Sequence, residues 1–142
     1  MQVKHLSEAK AYEAPNHRAY CSLRLFGLDA GGPKQFTVGL SHFLPGGGAG
    51  PDASPTEKVY YVLSGELTLI ADGKESVLKA NDSCFIGPNE SREIINRGND
   101  VVTMLVAVST PQKWSAAVIL GIKPGQEAGV ARVTEVNSSK GE

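Results

Sequence analysis

Between residues 19 and 109 the chain is cut into short apolar runs by turn residues, and no convincing helical period interrupts them. The runs cover residues 19–28, 36–44, 58–63, 66–71, 74–78, 83–86, 92–96 and 101–109. Asp29-Ala30-Gly31-Gly32-Pro33 closes the first, and Asp72-Gly73 is a strong hairpin signal between two of the later ones. Residues 36–44 alternate, with Phe36, Val38, Leu40, His42 and Leu44 on one face. The glycine- and proline-rich segment 45–55 reads as a loop. Strands of this length and spacing predict an all-β barrel or sandwich.

Composition supports that reading. A chain of 142 residues is long enough for one domain with its own core, without disulfides or a structural metal. The 16 glycines and 8 prolines suit a fold with many tight turns. With 41% apolar and 20% charged residues, neither disorder nor membrane insertion is expected. The formal charge is −1 and no basic stripe is visible, so no nucleic-acid partner is expected. The polar start, residues 1–10, lacks the apolar run of a signal peptide, and no segment is apolar for 18 residues. Cytoplasmic localisation follows as the expectation, with Cys21 and Cys84 as reduced thiols.

Two spaced patterns carry the chemical information. The first runs Gly46, five residues, Asp52, one residue, Ser54, three residues, Lys58, six residues, Gly65. The second runs Asn81, five residues, Gly87, one, Asn89, two, Arg92, three, Asn96. Their spacings resemble the two motifs of the cupin family, Gly-x5-His-x-His-x3,4-Glu-x6-Gly and Gly-x5-Pro-x-Gly-x2-His-x3-Asn. The neighbouring words resemble it too: Val59-Tyr60-Tyr61-Val62-Leu63-Ser64-Gly65-Glu66-Leu67 and Asp82-Ser83-Cys84-Phe85-Ile86. The resemblance implies a double-stranded β-helix, a jelly-roll-like barrel, over residues 36–109. Residues 1–35 would then be an N-terminal arm and first strand, and residues 110–142 a C-terminal extension. It also implies a homodimer.

In the family, the two motifs hold a divalent transition metal inside the barrel through three His and one Glu. Asp52, Ser54, Lys58 and Arg92 occupy those positions here. Two of these are cations, and one carboxylate cannot hold a metal that needs three or four donor side chains. No metal cofactor is therefore expected. Glu57, one position from the expected glutamate, and His42 are the residues that would have to rescue a metal site. A one-residue shift, however, turns a strand side chain to the opposite face. Asn81 and Asn89 stand where the family has glycines, and Gly87 where it has proline, substitutions that act on turn geometry.

Strand alternation says what fills the cavity instead. If Lys58 points inward, so does Tyr60; if Arg92 does, so does Asn96; His42 joins them if the face of residues 36–44 that carries it is the inner one. Asp52 and Ser54 lie at the rim. Two cations against one carboxylate leave positive charge that is costly to bury alone, so the pocket reads as a site for a small anionic, carboxylate-type organic molecule. Arg92 would clamp the carboxylate, helped by Lys58, Asp52, Ser54 and Asn96. A lysine beside an arginine loses proton affinity, so Lys58 is a candidate base or Schiff-base amine, with His42 or Tyr60 as proton shuttle. Isomerisation, lyase chemistry and decarboxylation stay open; dioxygenase chemistry, which needs iron, does not.

Two alternatives stand beside this reading. One is a non-catalytic binding, sensing or dimerisation module in which Asp52, Lys58 and Arg92 form an internal ion network in place of the metal. The other is a metal-dependent enzyme with atypical ligands. His17 and Arg18, ahead of the first run, read as solvent-facing unless an arm carries them over the barrel mouth. Trp114 reads as an anchor for the tail or a subunit contact, and residues 114–120 as a short helix or strand.

Overall fold

The structure, a computed structural model, describes residues 1–110, which form one compact unit. The expectations for Trp114 and for residues 110–142 as an extension lie outside the described residues, apart from Thr110. The strands are β1 (Lys10–Tyr12), β2 (His17–Phe26), β3 (Phe36–Asp52), β4 (Lys58–Ser64), β5 (Leu67–Ala71), β6 (Lys74–Leu78), β7 (Ser83–Ile86), β8 (Arg92–Ile95) and β9 (Val102–Ser109). The only helical pieces among the described residues are 3₁₀ turns at Leu6–Glu8 and Leu28–Ala30. No helix there is long and apolar enough to cross a membrane. The fold is the all-β barrel expected.

All strand pairs are antiparallel, in the order β6-β5-β8-β3-β9-β4-β7, with β2 added to β3 and β1 to β2. β3 bends between two partners. Its first part, Phe36–Phe43, pairs with β9, and its second, Gly48–Asp52, pairs with β8. That bend rolls the sheet into an almost closed barrel. It also corrects one expectation: residues 45–52 are strand, not loop. The glycines there mark close backbone approach rather than a turn; a Cβ on Gly48 would lie 2.1 Å from the Ile94 carbonyl oxygen.

The motif turns are built as their spacing requires. Gly65 has φ +83°, and a Cβ there would meet the Val101 carbonyl oxygen at 2.8 Å. Asn81 and Asn89, in place of glycines, still take the left-handed conformation at φ 74° and 61°. Asparagine tolerates that region better than other side chains. Asp72 and Gly73 both have positive φ and join β5 to β6, as the hairpin signal predicts.

The core is lined by Phe43, Val62, Leu67, Ile94, Val102 and Met104. The alternation of residues 36–44 holds, but the inner face carries Ser41 and Phe43. Phe36, Val38, Leu40, His42 and Leu44 therefore take the outer side.

Candidate functional site

A cavity of about 110 Å³ lies inside the barrel above this core. β4 sends Lys58 and Tyr60 into it, β8 sends Arg92 and Ile94, and β3 contributes Ser41. β9 supplies the apolar wall of Met104, Val106 and Val108, which stand opposite Val62, Tyr60 and Lys58 in register. Residues 12–17 of the N-terminal arm complete it through Tyr12, Ala14 and His17.

Arg92 is the central group. It is 6% exposed, and its Nε donates to the Tyr60 phenol oxygen at 2.7 Å. Its Nη1 is buried with no hydrogen-bond partner. Burial raises the Tyr60 pKa, while the adjacent guanidinium pulls it the other way. The Lys58 ammonium donates to the Ser54 hydroxyl, which in turn bonds the Thr56 hydroxyl at 2.7 Å. Loss of solvent lowers the Lys58 pKa, and Arg92 lowers it further; Asp52 opposes both.

Asp52 stands opposite Arg92 in the β3–β8 register but is exposed, and its Oδ1 accepts from the Ala53 amide at 2.8 Å. Among the described residues, the ion pairs are Arg18–Glu93, Arg24–Asp29 and Arg97–Glu75. Asp52, Lys58 and Arg92 thus make no direct ion network. Two cations meet in the cavity without a paired carboxylate.

The structure moves two expected site residues elsewhere. His42 faces outward, with Nδ1 3.0 Å from the Thr103 hydroxyl, because β3 turns Ser41 and Phe43 inward. Asn96 is fully buried outside the cavity. Its Nδ2 donates to the carbonyls of Phe43 (3.0 Å) and Asp100 (2.8 Å), and its Oδ1 accepts from the Gly98 amide (3.0 Å). It clamps the turn after β8, with no donor left for a ligand. Glu57 is exposed, its backbone paired with Ser109. Among the described residues, no three His, Cys, Asp or Glu side chains converge to hold a metal. The donor set at the motif positions does not fit a divalent ion.

His17, which the sequence leaves in solvent unless an arm carries it over the barrel mouth, lines the cavity by that second route. A turn at Asn16 (φ 55°) folds the arm back, so that His17 opens β2 and lines the cavity. Its ring packs against Tyr20 and Phe43, at 5.0 and 6.0 Å between centroids. Its Nδ1 lies 2.7 Å from the Pro15 carbonyl oxygen. A carbonyl only accepts, so Nδ1 carries the proton and Nε2 is left bare in the neutral ring. Burial lowers the His17 pKa, and Arg92 adds to the effect; the Pro15 bond and Asp52 resist it. The Tyr20 hydroxyl accepts from the Ala14 amide at 2.9 Å and pins the arm over the cavity. The signal available in the sequence was Pro15-Asn16, a turn pair just ahead of the first apolar run.

A larger cleft, about 340 Å³, lies outside the barrel between the arm and β2. Of its three basic residues, Lys4, Lys10 and Arg24, two are already engaged. Arg24 stacks on Tyr12 and pairs with Asp29, and Lys4 donates to the Ala30 carbonyl and sits over Phe26. The barrel cavity, with its unpartnered guanidinium nitrogen, is the stronger site.

Comparisons with known proteins agree with the fold. A family model described as "Cupin domain" matches residues 39–108. A protein of Mycobacterium tuberculosis named Beta-D-galactosidase Rv1717 is 41% identical over 111 residues, 78% of this chain and 96% of that protein. The polyketide cyclase RemF of Streptomyces resistomycificus superposes with a TM-score of 0.68 at 20% identity, over 77% of this chain and 79% of that one. A predicted oxalate decarboxylase of Thermotoga maritima superposes with a TM-score of 0.65 at 26% identity, over 76% and 98%.

Proposed function

The chain belongs to the cupin family, and we propose that it works without a metal, binding a small anionic, carboxylate-type organic molecule in the barrel. The observation that carries this reading is the buried Nη1 of Arg92, which has no partner. A buried cation without a counter-charge costs several kcal/mol. A ligand carboxylate on Arg92, with Lys58 as a second point charge, offsets that cost. Lysine and arginine at two of the four motif positions repel a divalent ion, so no step is routed through one.

Catalysis, if the bound acid is turned over, falls to Lys58. Its lowered pKa leaves more neutral amine than an exposed lysine has, suited to proton abstraction or Schiff-base formation with a carbonyl. Tyr60 is the proton carrier within reach of Arg92. Isomerisation, lyase chemistry and decarboxylation use such groups. The reading also includes a homodimer in the cytoplasm. The outer face of β4 and β7 exposes Val59, Tyr61 and Phe85, an apolar surface suited to a second copy.

A second reading comes from the 41% identical relative, whose name is that of a β-galactosidase. Glycoside hydrolysis usually employs two carboxyl groups across the bond. No Asp or Glu lines this cavity among the described residues, so the relative's activity would need groups other than that pair. A nitrophenyl β-galactoside assay tests it: turnover abolished by Lys58→Met and Arg92→Met would replace the first reading.

The first reading is tested by thermal shift against a panel of small organic acids. Saturating ligand should stabilise the protein by about 2–4 kcal/mol, and Arg92→Met should abolish the effect. Elemental analysis of the purified protein supplies the control: a stoichiometric transition metal would overturn the metal-free reading.

A further inference from the structure

The polar groups of the barrel cavity are not balanced between donors and acceptors. Arg92 offers an unused Nη1 and can only donate. The Tyr60 oxygen already accepts from Arg92 Nε, which leaves the phenol O–H as a donor. Lys58 commits one proton to Ser54 and retains others. Ser41 is engaged with Ser22 at 2.9 Å. Against these stands His17. Its Nδ1–H is tied to the Pro15 carbonyl, so Nε2 is a lone-pair acceptor with no protein partner among the described residues.

A plain dicarboxylate such as oxalate satisfies the donors but places a second acceptor against His17 Nε2. A plain monocarboxylate leaves Nε2 without a proton to accept. A ligand with a carboxylate and a hydroxyl satisfies both. We infer that the cavity is built for a short hydroxy acid, its carboxylate held by Arg92 and Tyr60 and its hydroxyl donating to His17 Nε2. This rests on the anion-binding reading above and adds a substrate class to it. The size agrees. A cavity of about 110 Å³, set against the ~30 Å³ a water occupies in the liquid, has room for about four water-sized groups and so suits a short acid of about two or three carbons. The structure also explains why the arm matters: it contributes the acceptor, while the family motifs contribute the donors.

The test is calorimetric binding of matched pairs, lactate with propionate and glycolate with acetate, alongside oxalate. The hydroxy acid should bind roughly ten-fold more tightly than its deoxy partner, the usual scale of one well-made hydrogen bond. His17→Phe keeps an aromatic ring against Tyr20 and removes the acceptor, so lactate should fall to the affinity of propionate. Equal binding of lactate and propionate by the wild type overturns the hydroxyl inference and leaves the anion reading standing. Binding of none of the acids overturns the anion reading itself. Lactate preference retained in His17→Phe overturns the role of His17. Should that variant not fold, nitrogen NMR of wild-type His17 decides: added lactate must shift Nε2, and an unmoved Nε2 at saturation sinks the assignment.

Discussion

β4 sends three side chains inward, Lys58, Tyr60 and Val62, and they pass from one region of the barrel interior to another. Val62 is fully buried in one apolar cluster with Phe43, Leu67, Val102 and Met104. Lys58, two strand steps away, faces a second cation and a histidine. The same alternation builds both regions. They differ in how completely their groups are satisfied. The apolar region closes on itself, and the buried Asn96 side chain at its border uses both amide protons and its oxygen. The cavity keeps a buried guanidinium nitrogen unpartnered. If the cavity binds the proposed acid, stability is concentrated in the first region and binding in the second, so substitutions in the two should have opposite signatures.

The largest expected effect lies in the apolar region. Phe43→Ala should cost about 3–5 kcal/mol, read from urea unfolding, with no specific loss of acid binding in the molecules that remain folded. Asn96→Ala comes next. It strips partners from the carbonyls of Phe43 and Asp100 and from the Gly98 amide, and should cost about 1–3 kcal/mol. If Asn96→Ala instead left stability unchanged and abolished acid binding, the boundary between the two regions would be drawn in the wrong place.

That boundary was only partly visible in the sequence. The barrel, the hairpin at Asp72-Gly73 and the inward pairing of Lys58, Tyr60 and Arg92 all follow from local signals: turn residues, motif spacing and a period of two. Where the reading failed, the missing information was long-range. Which face of residues 36–44 is inner depends on the register between β3 and β9 (Leu40 with Leu105, Phe43 with Val102), and that choice sent His42 outward. Residues 45–52 look like a loop because nothing local reveals that β8 and β2 lie against their backbone. His17 enters the cavity only because β2 pairs with β3, setting His17 opposite Ala49. Asn96 carries the motif's spacing faithfully, yet its neighbours make it a clamp.

In the cavity the signature should invert. Arg92→Met removes a buried cation and fills similar volume with an apolar side chain, a replacement that is often neutral or stabilising for buried charges. Its unfolding free energy should stay within about 1 kcal/mol of wild type or rise, while acid-induced stabilisation disappears. A large loss of stability would mean that Arg92 supports the barrel, bringing the two regions back to one role.

The smallest effect, and the sharpest on the comparison, is a pH dependence confined to the cavity. The folded-state pKa of His17 lies below its ordinary 6.5, so above 6.5 the ring is neutral in both states. As pH falls through 6.5 the unfolded chain takes up a proton that the folded chain resists, because burial, Arg92 and Arg18 disfavour the imidazolium more than the Pro15 bond and Asp52 favour it. Stability therefore declines below 6.5 until the folded pKa is reached, and then levels off. Lys58 behaves in the same sense at the other end. Its folded pKa is below 10.5, so the stability deficit of its charged form is relieved as pH rises from the folded value toward 10.5. Difference curves isolate each group from the surface carboxylates. Wild type minus His17→Phe should slope only below 6.5, and wild type minus Lys58→Met only on the alkaline side. Flat difference curves would show that both groups are solvated like surface residues, and the cavity would lose its distinction from the exterior. Acid binding adds a second readout on the same axis, since protonated His17 is a donor: oxalate, whose second carboxylate can accept from it, should gain on lactate as the ring charges, while the apolar region stays indifferent to pH.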